Sequence, residues 1–403
     1  MRKLNRMATC FFAALIFSAA VNGLYGQLLP KKWNPKAEAD KVLERLITVT
    51  DTCVKGAHDA QMVLVGNHAY IVAMVNDVKP GEAAHWKFIY VSMSIVNLTT
   101  GKVEAIIPVA RSGQSFENEQ LLPGSCFGPN ITQKDEQTLR IWFPSENPGK
   151  RQSQTYYIDF DLTSRTLSKT IHRMKMKTSD GVFEMQPCYF YADAIKYGQG
   201  KEQKDYGLYF IDSFKKIDGT IYNVLNNYPS KQNALVRLNH SMDTVEIVGH
   251  FNEPHELSLS EAAVNKLPDG TWMAICRQNE GDRNYVFTTS ADGKTWKPGV
   301  FMDFVPNGWN SKPTFDLFNG VYYLGWQEST KINNVGRSVF NIDVSSDGKT
   351  WQRKYRFETE KSFQYPVFRQ QNGHIWLAVT QGDSPEGPKE AGRKQRIVFG
   401  MLE

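Results

Sequence analysis

Apolar and polar residues alternate in short runs over most of this 403-residue chain, and Gly, Asn or Asp interrupts each run. Three stretches carry the pattern at full strength: SEAAVNKLPDGTWMAICRQ (260–278), SKPTFDLFNGVYYLGWQ (311–327) and QYPVFRQQNGHIWLAVTQ (364–381). Each has a small or polar start, an apolar strand, a DG or NG turn and an aromatic-rich second strand. Period-two alternation split by DG or NG predicts a β-hairpin, because those turns supply the positive φ that matches strand twist. AHDAQMVLVGNHAYIVAMV (57–75) is a weaker copy, and fainter ones begin near Phe127 and Pro187. Outer hairpins alternate with these: SIVNLTTGKVEAIIP (94–108), YIDFDLTSRTLSKTI (157–171) and LVRLNHSMDTVEIVG (235–249). Units of four strands, roughly 50–75 residues long, predict an all-β, single-domain β-propeller whose blades surround a channel. Inner hairpins starting near 58, 127, 187, 262, 313 and 366 give six blades, and the length leaves room for seven. The last unit lacks an outer strand, which RLITVT (45–50) is expected to supply, closing the ring. Helical periodicity is confined to AEADKVLERL (37–46).

SADGKTW (290–296) recurs as SSDGKTW (345–351). Both copies fall between the third and fourth strands of a unit. Asp292 and Asp347 are expected to accept backbone N–H bonds, Gly293 and Gly348 to adopt positive φ, and Trp296 and Trp351 to pack between blades. The motif resembles the Asp box of sialidase-like propellers. In that superfamily it lies on outer turns, away from the substrate, so it is expected to be structural.

The N-terminus changes the charge picture. Arg2, Lys3 and Arg6 precede an apolar run, Cys10 to Val21, too short to span a bilayer. Residues 1–26 read as a secretory signal peptide and 27–403 as the propeller, predicting a secreted or periplasmic protein without membrane insertion. Removing the three basic leader residues takes the formal net charge from +5 to +2. With no dense Lys/Arg stripe, nucleic acid is not an expected partner. Cys53, Cys126, Cys188 and Cys276 are widely spaced and form no zinc or redox motif. They suit buried free thiols as well as disulfides. A monomer is expected.

Candidate chemistry gathers at the starts of inner strands, where loops meet the channel. His58 precedes an apolar strand and suits general acid/base work. Asn76, at the end of the next strand, and His85 and Trp86 in the following loop could form a sugar-binding rim. Arg277 and Lys312 could hold a carboxylate, Arg by a bidentate fork. Glu261 could be an acid, a base or a partner of Arg277, and Gln364 occupies the matching position of the last unit. An ordinary glycosidase needs two carboxylates flanking the bond, and no second one stands out. Sialidases need an arginine triad and a tyrosine nucleophile, and of these only Arg277 matches in position. No metal cluster, phosphate loop or Ser/His/Asp motif emerges, so no cofactor is expected.

AHDAQMVLVGNHAYIVAMVNDVKPGE together with IYVSMSIVNLTTGKVE resembles the α-L-rhamnosidases of glycoside hydrolase family 145, over the whole chain after the leader. It is more remotely similar to propeller ulvan lyases. The rhamnosidase resemblance implies a seven-bladed hydrolase that removes terminal rhamnose α-1,4-linked to glucuronic acid on arabinogalactan-type plant glycans. It implies reliance on one histidine, for which His58 is the match. The partner would be a uronic acid-containing oligo- or polysaccharide. The ulvan-lyase pattern has a second histidine where this chain has Asn76 or Asp77. Uronate β-elimination and a non-catalytic glycan-binding propeller are the alternatives.

Overall fold

The computed structural model describes residues 28–81, 87–148, 152–198, 207–228, 232–252, 259–279, 285–382 and 394–403. The expected leader, His85 and Trp86 lie outside the described residues.

Six sheets stand in chain order. Blade I comprises Gly56–Val65, His68–Asn76, Tyr90–Asn97 and Val103–Ala110. Blade II comprises Asn130–Gln133, Thr138–Asn147, Gln152–Asp161 and His172–Arg173. Blade III comprises Gly207–Phe210, Thr220–Tyr228, Asn233–Leu238 and Thr244–His250. Blade IV comprises Leu259–Lys266, Trp272–Gln278, Val286–Ser290 and Val300–Phe301, and blade V comprises Thr314–Phe318, Val321–Gln327, Val339–Ser345 and Gln352–Glu358. Blade VI joins Gln364–Gln371, His374–Gly382 and Gln395–Met401 to Ile47–Thr48, which pairs antiparallel as Ile47↔Phe399 and Thr48↔Val398. The expected ring closure by the early strand is thus present. The described residues form six blades rather than the seven that the rhamnosidase resemblance implies.

The core is divided in the way a ring requires. Both faces of a blade are apolar, so each must meet a neighbour. Six buried clusters result, one at each junction. The cluster joining blades VI and I sets Val367, Ala378, Ile397 and Phe399 against Ala57, Ala60, Met62 and Ala69. Ala and Met there let the first and last blades approach closely.

One inner hairpin is misplaced by the sequence reading. The segment beginning at Pro187 is a helix, Pro187–Lys196, and the inner strand of blade III is Gly207–Phe210. Aromatic content made PCYFYADAI resemble a strand. The buried positions, Pro187, Phe190, Tyr191 and Ala194, instead recur at helical spacing, and Pro187 at the first turn is pre-set for a helix. The hairpin before it, Lys175–Thr178 with Gly181–Glu184, adds in parallel to the outer strand of blade III.

The helix at Pro35–Leu43 overlaps the expected segment and starts two residues before it, its N-terminus capped by Asn34. Ala39 and Val42 pack it onto the junction of blades V and VI. Four cysteines are free, with Cys126 and Cys276 buried and Cys53 and Cys188 exposed. No helix among the described residues is long and apolar enough to cross a membrane.

Both Asp boxes sit in the outer turns of blades IV and V. Asp292 Oδ1 accepts from the N–H groups of Lys294 (2.8 Å) and Thr295 (2.9 Å), and Asp347 Oδ1 from Lys349 and Thr350 (2.8 Å each). Gly293 and Gly348 have φ of 75° and 71°. Trp296 packs on Phe251 of the blade III side at 4.4 Å between ring centroids, and Trp351 on Phe304 and Phe315. The motif is therefore inter-blade mortar.

Candidate functional site

Three inner strands break register at their channel ends. The breaks fall between His58 and Gln61 in blade I, between Ser260 and Ala262 in blade IV, and between Gln364 and Val367 in blade VI. A bulge inserts a residue and re-aims the side chains around it. The residues inside these breaks include Asp59, Glu261 and Tyr365. Asp59 and Tyr365 have φ of 52°, and Arg337, in the loop before the third strand of blade V, has φ of 53°. L-residues rarely adopt that region, and such strain clusters at functional sites.

These re-aimed side chains meet. Tyr365 Oη donates to the Glu261 carboxylate, with both carboxylate oxygens at 2.7 Å. Arg277 Nη1 donates to Tyr365 Oη at 2.5 Å and forms an ion pair with Glu261. The phenol oxygen therefore lies between a proton acceptor and a guanidinium. Asn310 holds both arginines: its side-chain oxygen accepts from Arg277 Nε, and its carbonyl accepts from Arg337 Nε at 3.1 Å. Lys312 Nζ pairs with Asp59 Oδ1 at 2.9 Å and stands 5.3 Å from the centre of the Tyr365 ring. The Arg337 guanidinium stands 5.6 Å from the same ring. Glu261, Lys312, Asp59 and Tyr365 are buried, whereas Arg277 keeps 12 % side-chain exposure.

His58 completes the group, its ring 4.2 Å from that of Tyr365. Burial, and then the charge of Arg337, hold its pKa well below the ordinary imidazole value; Glu261 opposes this, and Lys312 and Arg277 add to it. The imidazole is thereby driven toward its neutral form. Three cations, Arg277, Lys312 and Arg337, face two carboxylates, Glu261 and Asp59. Guanidinium and ammonium groups in such a low-dielectric setting suit an anionic ligand.

Below the site, inner strands exchange polar contacts across the channel. Gln61 donates to the carbonyl of Ile211 (3.3 Å), and Asn130 to those of Phe210 (3.1 Å) and Asp212 (2.7 Å). Asp212 pairs with Lys215, and its carboxylate accepts from Val264 N at 3.0 Å. Asp316 lies 3.8 Å from Lys215, with its pKa raised by burial. These contacts tie the inner strands of different blades to one another.

The sequence-predicted residues divide accordingly. His58, Glu261, Arg277 and Lys312 converge. Gln364 is adjacent, but its Oε1 accepts from Arg337 Nη1 at 3.0 Å and its Nε2 donates to Ser362, so it positions an arginine. Asn76 is buried at the end of its strand, where Oδ1 accepts from Val78 and Lys79 N–H groups and holds the following turn. Arg337 and Tyr365, which were not among the expected site residues, stand with Arg277 at this site. Sequence reasoning missed both, along with the positioning role of Asn310. Tyr365 was visible as a tyrosine next to Gln364 at a strand start; nothing in the repeat marked Arg337. Among the described residues no group of three or more His, Cys, Asp or Glu side chains is placed to hold a metal ion.

By sequence, neither a family model nor a curated protein matches this chain. By structure it is similar to a Dyadobacter fermentans protein of unknown function, with a TM-score of 0.61 and 11% identity over 88% of this chain and 97% of that one. It is also similar to Trypanosoma rangeli sialidase in complex with sialic acid (TM-score 0.57, 10% identity, 93% of this chain) and spans 58% of that enzyme. The NanB sialidase of Streptococcus pneumoniae gives a TM-score of 0.56 at 11% identity, over 89% of this chain and 70% of that one. Identities this low establish the fold alone, which is that of a sialidase-like β-propeller.

Proposed function

We propose that the chain is an exported glycoside hydrolase that releases a terminal sugar held by a carboxylate, with Tyr365 as nucleophile. The observation that carries this reading is the phenol of Tyr365 set between the Glu261 carboxylate and the Arg277 guanidinium. A tyrosine is a weak nucleophile until an adjacent base takes its proton. In the proposed reaction Glu261 accepts the Tyr365 proton as Oη attacks the anomeric carbon. The glycosidic C–O bond breaks, and the departing oxygen takes a proton from water. A second water then hydrolyses the glycosyl–tyrosine bond: protonated Glu261 returns its proton to Tyr365 Oη, and the proton the water gives up neutralises the hydroxide left by the first step. Arg277 and Arg337 bind the substrate carboxylate, and the neutral His58 packs on the Tyr365 ring.

The test is release of free sugar from two substrates, a sialyl-lactose and an arabinogalactan oligosaccharide capped by rhamnose-glucuronate. Tyr365→Phe is expected to lower turnover by at least about 10³-fold. Undiminished turnover in that variant sinks the assignment.

The narrower rhamnosidase reading uses the same cations for the neighbouring glucuronate and gives the proton transfer to His58; the 4.2 Å between its ring and that of Tyr365 supports it. Free rhamnose from the second substrate, lost in His58→Ala and kept in Tyr365→Phe, selects it. Absorbance from a 4,5-unsaturated uronate selects elimination instead.

A further inference from the structure

A second cleft of about 640 Å³ opens at the rim, where the outer edge of blade III meets the Asp box of blade IV. That volume falls in the range of small-ligand sites, roughly 300–1,000 Å³. The two blades are close-set here: a Cβ on Gly249 would stand 2.4 Å from the carbonyl oxygen of Lys294. The cleft is separate from the channel, because Lys294 lies in the outer turn of blade IV, whereas Glu261 and Arg277 lie on its first and second strands.

Its lining has the elements of sugar recognition. Tyr197, which follows the Pro187–Lys196 helix, is 62 % exposed at the cleft. A sugar ring has an apolar C–H face that stacks on such a ring, and hydroxyl edges that need hydrogen bonds. The buried His250 borders the cleft and pairs through Nε2 with Asp193 Oδ2 at 2.8 Å. Its Nδ1 is buried and has no hydrogen-bond partner among the described residues. Ser179 donates its Oγ–H to the other Asp193 oxygen at 2.7 Å, which fixes the pair. On the opposite wall Lys294 is exposed and in no ion pair among the described residues, while Arg237 and Lys177 share Glu246.

We propose that this cleft is a second binding site for an acidic oligosaccharide. A ring would stack on Tyr197 and a carboxylate would meet Lys294. The choice of a glycan ligand rests on the proposed function. The site would hold a polymeric substrate to the rim while the channel acts on one end, raising the effective concentration of that end.

The test is calorimetric titration of the Tyr365→Phe protein, which leaves the cleft intact, with hexagalacturonate and, as the neutral control, maltohexaose. Binding of the acidic hexasaccharide is expected, weakened about tenfold when Tyr197→Ala and Lys294→Ala are combined. Both residues are exposed, so the variant folds. No binding, affinity unchanged in the double variant, or equal binding of maltohexaose overturns the proposal. Turnover of a single-residue chromogenic glycoside, which cannot reach the rim, reports on the channel alone. Failure of that assay removes the proposed function without deciding the titration, and the reverse holds as well.

Discussion

The two Asp-box turns and the three bulged strand starts both depart from plain strand geometry, and they do so in opposite ways. An Asp box satisfies itself: Asp347 bonds to N–H groups two and three residues on, and Ser345 Oγ accepts from Gly348 N at 2.8 Å. A bulged start reaches far along the chain. Tyr365 reaches Glu261 across 104 positions of sequence, and Lys312 reaches Asp59 across 253. The box can therefore be copied from blade to blade as a local cassette. The bulged starts differ from one another because each supplies one part of a constellation that exists only when the ring is closed. Repetition carries the fold here, and departure from repetition carries the chemistry.

That contrast can be broken by substitutions on each side. The largest expected effect is at the bulges. Glu261→Gln keeps the shape of the side chain and removes the proton acceptor of Tyr365. Turnover is expected to fall by about 10²–10⁴-fold with little change in unfolding free energy. Parallel losses of activity and stability would mean that Glu261 is a structural partner of Arg277 only.

Lys312→Met is next. It leaves Asp59 buried without its counter-charge, at a cost of about 3 kcal/mol in chemical denaturation. Adding Asp59→Leu removes the stranded charge and is expected to recover most of that loss. A single variant as stable as the parent would show that the pair is neutral for folding.

On the other side of the comparison, Gly348→Ala places a Cβ 2.4 Å from Leu267 Cδ2 at a φ of 71°. Strain and crowding together are expected to cost about 2–3 kcal/mol. Asp347→Ala removes only the turn acceptor and should cost about 1 kcal/mol. Both should leave turnover at 25 °C unchanged, and a drop in turnover in the folded variants would blur the division between rim and channel.

How far the sequence could be read follows from the same division. DG and NG turns at fixed places in a four-strand unit identify three of the inner hairpins, fainter copies of the pattern identify two more, and RLITVT finds its place because the sixth blade visibly lacks a strand. The failures share a cause. A strand alternates with period two, and a bulge shifts that parity by one residue. The reading that placed Gln364 at the channel was therefore one residue short of Tyr365. It found His58 but not the partnership of its neighbour Asp59 with Lys312. Arg337 sits in a loop outside the repeat, so no period could reveal it. The helix at Pro187 was lost differently, because aromatic residues on its buried face imitated the composition of a strand.

The smallest effect concerns His58, the one residue of the site whose charge state divides the two enzymatic readings. Burial, and with it the charges of Arg337, Lys312 and Arg277, press its pKa down, and Glu261 opposes them. A group with its folded-state pKa below the unfolded value of 6.5 takes up its proton first in the unfolded chain. Its contribution to stability is then complete above pH 6.5 and is lost as pH falls from that value toward the folded-state pKa. The slope from this one proton is at most roughly 1.4 kcal/mol per pH unit. His58→Gln, neutral at every pH, should flatten the denaturation free energy just below pH 6.5 and leave it little changed at pH 8. If His58 instead carries a proton in the folded state, as an acid at work near neutrality would, its pKa is raised, and stability in the parent protein would decline as pH rises through that value. The sign of the slope therefore separates a packed, neutral histidine beside a tyrosine nucleophile from a histidine that performs the proton transfer.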